Sequence, residues 1–320
     1  MSKMITRKKY LKCLFLFSGG LDSILGVEVL RIQKNIKIVG LTFKSIFFDE
    51  TLARKMAKKI SLPLKIIDIS SDILKVVKKP KYGYGKGINP CLDCRILMLK
   101  KAKEILKKEK FDFIASGEVL GERPMTQNKI ALNFVEKKSS LKEILLRPLS
   151  AKLLKETIFE KKGLIKRELL LDISGRSRKK QISLAKKFNL KNYPTPSGGC
   201  ILTDINFSKK LKELLNYYPQ AKENDINLLK LGRHFWKNRA KIVVGRNEKE
   251  NKILKKIAKK GDFLIEMKNY PGPLTLIRNY SKKKISIQVL EKAKKLTQYY
   301  SPKVRKKKNV EFKIKKIETC

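Results

Sequence analysis

The sequence predicts an α/β fold: a parallel sheet with helices on both faces, followed by a smaller α+β domain. Three observations carry this expectation. From residue 13 to about 204, short β-branched or aromatic runs alternate with longer stretches of helical spacing, the pattern of successive βαβ units. After residue 207 the character changes to Lys-rich helices and short strands, which places a boundary near 206 and domains over 1–205 and 206–320. With 320 residues, 42% hydrophobic and 8% aromatic, each domain has enough apolar material for its own core.

Taken in order, the apolar run CLFLF over 13–17 reads as a buried strand. Residues 22–33 read as a helix, 36–43 as a strand, 52–60 as a helix and 64–69 as a strand. The segment KKPKYGYGKGINP over 78–90 carries three glycines and two prolines and reads as a mobile loop. It leads into Cys91-Leu-Asp-Cys94, a helix over 94–108 and a strand over 111–115. A second break, NYPTPSGG over 192–199, leads into Cys200. Beyond it come a Lys-rich helix, the stretch LGRHFWKNRAKIVVGRN, a further helix, a strand over 263–267 and a turn at Tyr270-Pro-Gly-Pro273. In a parallel sheet of this kind, ligands bind at the carboxyl ends of the strands.

Charge and cysteine content narrow the function. Lys and Arg number 77 against 29 Asp and Glu, a net charge of +48, which repels cations and attracts a polyanion. No uncharged apolar stretch reaches the roughly 18 residues a membrane span needs, and the four-residue apolar run after the basic N-terminus is too short for a secretory signal. The expectation is a cytoplasmic protein with no membrane partner. Five cysteines (Cys13, Cys91, Cys94, Cys200, Cys320) are too few and too odd in number for a disulfide scaffold, so they read as thiols available for chemistry or metal.

Ser18-Gly19-Gly20-Leu21-Asp22-Ser23 follows a buried strand and opens a helix. The two glycines let backbone N–H groups converge on an anion, and the helix start adds partial positive charge. Ser18 and Ser23 add hydroxyl donors, and Asp22 suits Mg²⁺ bridging phosphates. Cys91, Cys94 and Cys200 are three thiols, each beside flexible backbone. As thiolates they can hold three irons of a [4Fe-4S] cluster and leave the fourth iron open, or two of them can carry and resolve a persulfide. Structural zinc prefers four protein ligands, and His234 is the single histidine. Gly117, just past a strand end, is a candidate to line the nucleotide pocket. The run Gly175-Arg-Ser-Arg-Lys-Lys180 places several cations at a helix start, where an RNA phosphate is the natural counterion.

SGGLDS after CLFLF resembles the PP-loop of the ATP pyrophosphatases, which have a Rossmann-like, adenine nucleotide alpha hydrolase-like domain. These enzymes adenylate a substrate oxygen and release pyrophosphate. With Asn89-Pro90 before the CxxC, a basic residue after it, GEVLGERPMTQ over 117–127 and Arg147-Pro148-Leu149, the set resembles the tRNA 4-thiouridine synthases in their CxxC-containing forms. It is also similar to the tRNA 2-thiouridylases, which share SGGxDS and a distal catalytic cysteine where SGGC places Cys200. Many 2-thiouridylases have Asp where this chain has Cys91, and that departure favours the cluster-dependent variant. The resemblance covers about 60% of the chain. It implies ATP and Mg²⁺ at Ser18, Gly19, Gly20, Asp22 and Ser23, and catalytic cysteines at Cys94, Cys200 and Cys91 holding a [4Fe-4S] cluster. It further implies tRNA as acceptor, with sulfide or a persulfide-carrying protein as sulfur donor and 4-thiouridine favoured over 2-thiouridine.

The 4-thiouridine synthases usually carry an N-terminal RNA-binding extension, whereas this sequence starts almost at the PP-loop strand, so RNA binding is expected elsewhere. Val244-Gly-Arg-Asn247, Gly261-Asp-Phe263, Tyr270-Pro-Gly-Pro273 and Leu276-Ile-Arg278 resemble the small RNA-binding module of the NFACT ribosome-quality-control proteins. His234, Phe235 and Trp236 are candidates for base stacking there, or for its core. A PP-loop nitrogen transferase would show a glutaminase domain or a four-cysteine zinc site, and neither is visible. A non-catalytic RNA-binding protein has no need of an intact SGGLDS with three cysteines.

Overall fold

The structure, a computed structural model, describes residues 10–193 and 199–318, which divide into two compact units between Thr203 and Asp204. The basic stretch before Tyr10, residues 194–198 of the second Gly/Pro-rich break, and Cys320 lie outside the described residues.

The first unit runs β1 (Leu11–Leu16), α1 (Leu21–Arg31), β2 (Ile36–Lys44), α2 (Thr51–Lys59), β3 (Leu64–Asp68) and α3 (Ser70–Lys78). It continues with α4 (Cys91–Lys108), β4 (Phe113–Ser116), α5 (Lys129–Ser139), β5 (Leu145–Leu146), α6 (Ile158–Lys161) and α7 (Lys179–Lys187). Its sheet has the order β3-β2-β1-β4-β5 with all pairs parallel. The alternation of side chains along β1 sorts the core into two layers. Cys13 and Phe15 face α1, α2 and α7, while Leu14 and Leu16 face α4 and α5. The chain order reverses between β1 and β4, so a crevice opens at their carboxyl ends, where such sheets bind ligands.

The expected helix over 94–108 starts one turn earlier. The Cys94 N–H closes on the Pro90 carbonyl at 2.8 Å, so Pro90 caps α4 and both cysteines lie in its first turn. The loop before it is tied down rather than free. Asp93 accepts from the Lys81 and Tyr82 amides at 3.0 and 2.9 Å, and Asn89 accepts from Gly87 N–H at 2.9 Å.

The second unit runs α8 (Ile205–Tyr217), α9 (Glu223–Leu228), β6 (Arg233–Lys237), β7 (Ala240–Val244), α10 (Glu248–Ile257), β8 (Phe263–Met267), β9 (Thr275–Asn279), α11 (Ile287–Tyr299) and β10 (Phe312–Lys316). Its antiparallel sheet has the order β10-β8-β9-β7-β6, with α11 over one face and α10 over the other. Arg278 and Asp262, from the motifs noted in the sequence, form a buried pair at 2.7 Å, and Arg278 also reaches Asp225 at 3.0 Å. No helix among the described residues is long and apolar enough to cross a membrane.

Candidate active site

The loop SGGLDS turns the chain from β1 into α1 at the carboxyl end of the central strand. Gly19 has φ +77°, and a Cβ there would stand 2.8 Å from the Leu52 carbonyl carbon and oxygen at the start of α2. Both the left-handed backbone and the missing side chain are therefore required. Replacing Gly19 with Ala is expected to cost about 2 kcal/mol or more, measurable as a lowered denaturation midpoint. Gly20 is the N-cap of α1 and no side chain caps the helix, which leaves its first-turn amides available to an anion. The two serines brace the loop: Ser23 Oγ donates to the Gly20 carbonyl at 2.8 Å, and Gly20 N–H donates to Ser18 Oγ at 3.3 Å.

Asp22 lies in the same helical turn. Burial raises its carboxyl pKa, and the Arg178 guanidinium, 3.9 Å away, opposes that shift. Its Oδ1 is buried without a hydrogen-bond partner among the described residues. Free amides, an unpaired carboxylate oxygen and a close backbone cradle together fit a phosphate chain carrying Mg²⁺.

Gly117 lies directly against the Gly-rich loop. A Cβ there would stand 2.5 Å from the Asp22 carbonyl oxygen and 2.6 Å from the Ser23 Cα, so this glycine lets the end of β4 press against the first turn of α1.

At the other wall of the crevice, α4 presents Cys91, which is exposed, and Cys94, which is partly buried. Asn89 Nδ2 donates to Cys91 Sγ at 3.2 Å. Cys200 precedes a short 3₁₀ turn whose Ile201 N–H donates to the Phe47 carbonyl at 2.9 Å, just past the end of β2. Burial is the main cause that pushes the Cys94 thiol up to about 12, with the charges of Cys200 and Cys91 adding to it. Burial likewise pushes Cys200 up to about 11, and Cys91 again adds. The three thiols are thus close enough to feel one another's charge. As placed, no three of the described His, Cys, Asp or Glu residues form a group that could hold a metal ion. The donor set of three thiols without a fourth ligand still matches a cluster with one open iron.

A buried charge network, not visible in the spacing of the motifs, ties the two walls together. Glu118, two residues past β4, pairs with Arg95 at 2.8 Å and with Arg147 at 2.9 Å, and it accepts from Ser116 Oγ at 3.1 Å. Arg147 also bonds Glu136. The two guanidinium groups hold the Glu118 carboxyl down at about 2 despite the burial that opposes them. Arg95 directly follows Cys94, so this pair fixes the cysteine turn of α4 to the end of β4. The one signal for it in the sequence is a charged residue set within an apolar run, as at Arg147 between Leu146 and Pro148.

In the second unit, His234, Phe235 and Trp236 lie half-buried on β6. Trp236 stacks at 4.4 Å on Tyr217 and at 5.7 Å on Tyr280, and Lys241 Nζ sits 4.3 Å over its ring. Burial, with Lys241 adding, pushes His234 down to about 3, so it is neutral. These aromatics serve mainly as packing. More accessible cation–ring pairs include Arg305 at 4.7 Å over the exposed Tyr299.

Residues 232–319 match the family model of the NFACT protein RNA binding domain, a span that contains the Val244 to Arg278 motifs. Solved structures similar to this chain include three tRNA-related proteins. A predicted subunit of tRNA methyltransferase from Methanocaldococcus jannaschii is 15% identical over 55% of this chain and 76% of that one, with a TM-score of 0.35. The U34-tRNA thiolase NcsA from Methanococcus maripaludis, with its [4Fe-4S] cluster, is 20% identical over 71% of this chain and 76% of that one, with a TM-score of 0.38. A 4-thiouridine synthetase in complex with RNA and bound ATP is 19% identical over 56% of this chain and 51% of that one, with a TM-score of 0.35. No curated protein matches the chain.

Proposed function

We propose that the chain is an ATP-dependent tRNA sulfurtransferase that activates a uridine carbonyl and replaces its oxygen with sulfur, with 4-thiouridine favoured over 2-thiouridine. One observation carries the reading. β1 and β4 are neighbours at the crevice; β1 leads into SGGLDS, and the end of β4 is bonded through Glu118 and Arg95 to the turn that bears Cys91 and Cys94. A phosphate-binding loop at the end of β1 and a thiol-bearing helix turn bonded to the end of the neighbouring strand support a two-stage activation and sulfur transfer.

The roles follow from the chemistry of each group. The uncapped amides of α1, with Ser18, Gly19, Gly20 and Ser23, hold the nucleotide phosphates and stabilise the charge that develops on departing pyrophosphate. Asp22 holds Mg²⁺. The uridine oxygen attacks the α-phosphate and becomes a good leaving group as AMP. Cys91, Cys94 and Cys200 hold the sulfur source that replaces it; these three thiols would hold a [4Fe-4S] cluster by three irons, and such a cluster would supply an open iron for sulfide. Sulfide, which displaces AMP without a redox change, is one donor; a persulfide-carrying protein would pass its outer sulfur to one cysteine, and a second cysteine would release it to the uridine by closing a disulfide. The basic second unit holds the tRNA by neutralising phosphates.

Anaerobic incubation of the full chain with iron, sulfide, ATP, Mg²⁺ and unmodified tRNA, followed by mass spectrometry of the nucleosides, tests this reading. A thiouridine peak that depends on ATP is the expected result. Cleavage of ATP to AMP and pyrophosphate without a thionucleoside would overturn the sulfur-transfer assignment.

A further inference from the structure

The sequence places a run of cations at the start of α7, where the helix dipole disfavours them, and RNA phosphate is the counterion that the sequence suggests. The fold puts this helix elsewhere. α7 packs against α1, and Leu184, Ala185 and Phe188 share the core layer of Phe15 and Ile24. Its first turn therefore lies beside the first turn of α1. Arg178, its N-cap, faces Asp22 at 3.9 Å and also sits near the Glu122 carboxyl, while the Gln181 carboxamide lies within bonding reach of the Asp22 carboxylate, which Glu122 flanks as well.

Four buried polar atoms meet there without a hydrogen-bond partner among the described residues: Asp22 Oδ1, Gln181 Oε1, Gln181 Nε2 and Arg178 Nε. Gln181 has 0% of its surface exposed. Orphaned buried polar groups are rare because each forfeits its hydration without return, so neighbouring side chains that leave this many bonds unmade, even with Gln181 leaning on the Asp22 carboxylate, have bonding capacity to spare for a ligand. Their chemistry is mixed. The two oxygens are acceptors, and the two nitrogens, with the uncapped amides of α1, are donors. A bare anion satisfies only the donors, and a bare cation only the acceptors. A divalent cation carrying phosphate oxygens satisfies both sets.

We infer that Arg178 and Gln181 form a second wall of the phosphate site, Arg178 binding a phosphate oxygen of the metal-bound nucleotide and Gln181 acting as a positioning residue that orients Asp22 toward the metal. This rests on the nucleotide reading given above. It also assigns the first turn of α7 to the nucleotide rather than to RNA.

Calorimetric titration of the full chain with ATP, in Mg²⁺ and separately in EDTA, tests the inference, with the thermal midpoint of each variant measured alongside. Replacing Gln181 with Leu removes the unpaired carboxamide while keeping the volume. The expected result is about tenfold weaker binding of Mg·ATP, little change in EDTA, and a midpoint equal to or above that of the wild type. Arg178→Ala is expected to weaken binding by about tenfold or more, and Arg178→Lys to recover part of the loss. Wild-type affinity in Gln181→Leu and Arg178→Ala overturns the inference and leaves the nucleotide reading standing. Absence of ATP binding by the wild-type chain overturns both.

Discussion

Replacing Cys200 with Ser is expected to lower thionucleoside formation by at least about a thousandfold while leaving tRNA affinity unchanged, because the residue acts only in the chemical step. A hydroxyl at this position can neither carry transferable sulfur nor serve as a good iron ligand. The backbone around it needs no thiol, since the segment is held by the Ile201 N–H on the Phe47 carbonyl. Cys13 provides the control. It is fully buried in β1, and burial drives its thiol well above the ordinary range, so it is chemically inert. A Cys13→Ala variant should lose some stability and keep sulfur transfer. Thiolation surviving in Cys200→Ser, by nucleoside mass spectrometry, would sink the cysteine assignment.

The second large effect lies at Glu118. Replacing it with Gln leaves Arg95 and Arg147 facing a neutral amide inside the unit, and breaking a buried pair in this way costs about 3–5 kcal/mol. The denaturant midpoint should fall accordingly, with the linear slope unchanged. The pH dependence has a definite sign. The folded carboxyl lies at about 2, below the ordinary value of 4.5, so its contribution is complete above 4.5 and is lost as pH falls toward 2. The amide in Glu118→Gln does not titrate, so between pH 5 and 3 the stability gap between variant and wild type should narrow. A gap that stays constant over that range would refute the assigned ionisation.

How much of the molecule is legible in the sequence follows from which residues act locally. The strand runs at 13–17 and 36–43 and the Gly-rich turn between strand and helix carry their signals within a few residues, and the fold keeps them. The hairpin of β6 and β7 shows in the sequence only as a Gly-containing stretch. Its two-residue turn is Asn238-Arg239, both at positive φ, and Arg stands where glycine usually marks such a turn. At Gly117 a strand end is on view in the sequence, and the helix turn pressed against it at Asp22 and Ser23 is not. Arg178 and Gln181 meet Asp22 only because α7 packs on α1, a contact between residues more than a hundred positions apart. Spacing along the chain reports charge and periodicity; it does not report which helix start faces which.

The strand order has a consequence for how the molecule is made. Cys13 pairs with Ile38 on one side and with Phe113 on the other. On a chain synthesised from its N-terminus, β1 acquires the first partner early and waits until just over half of the first unit has been made before the second arrives. Contacts so far apart in sequence slow folding, because the intervening loop must close before pairing repays it. Until β4 docks, one edge of the central strand is open to any passing extended segment, the situation in which parallel sheets aggregate. The rate of native protein production should therefore respond to the pace of translation between β2 and β4 more than to any later stretch of the unit.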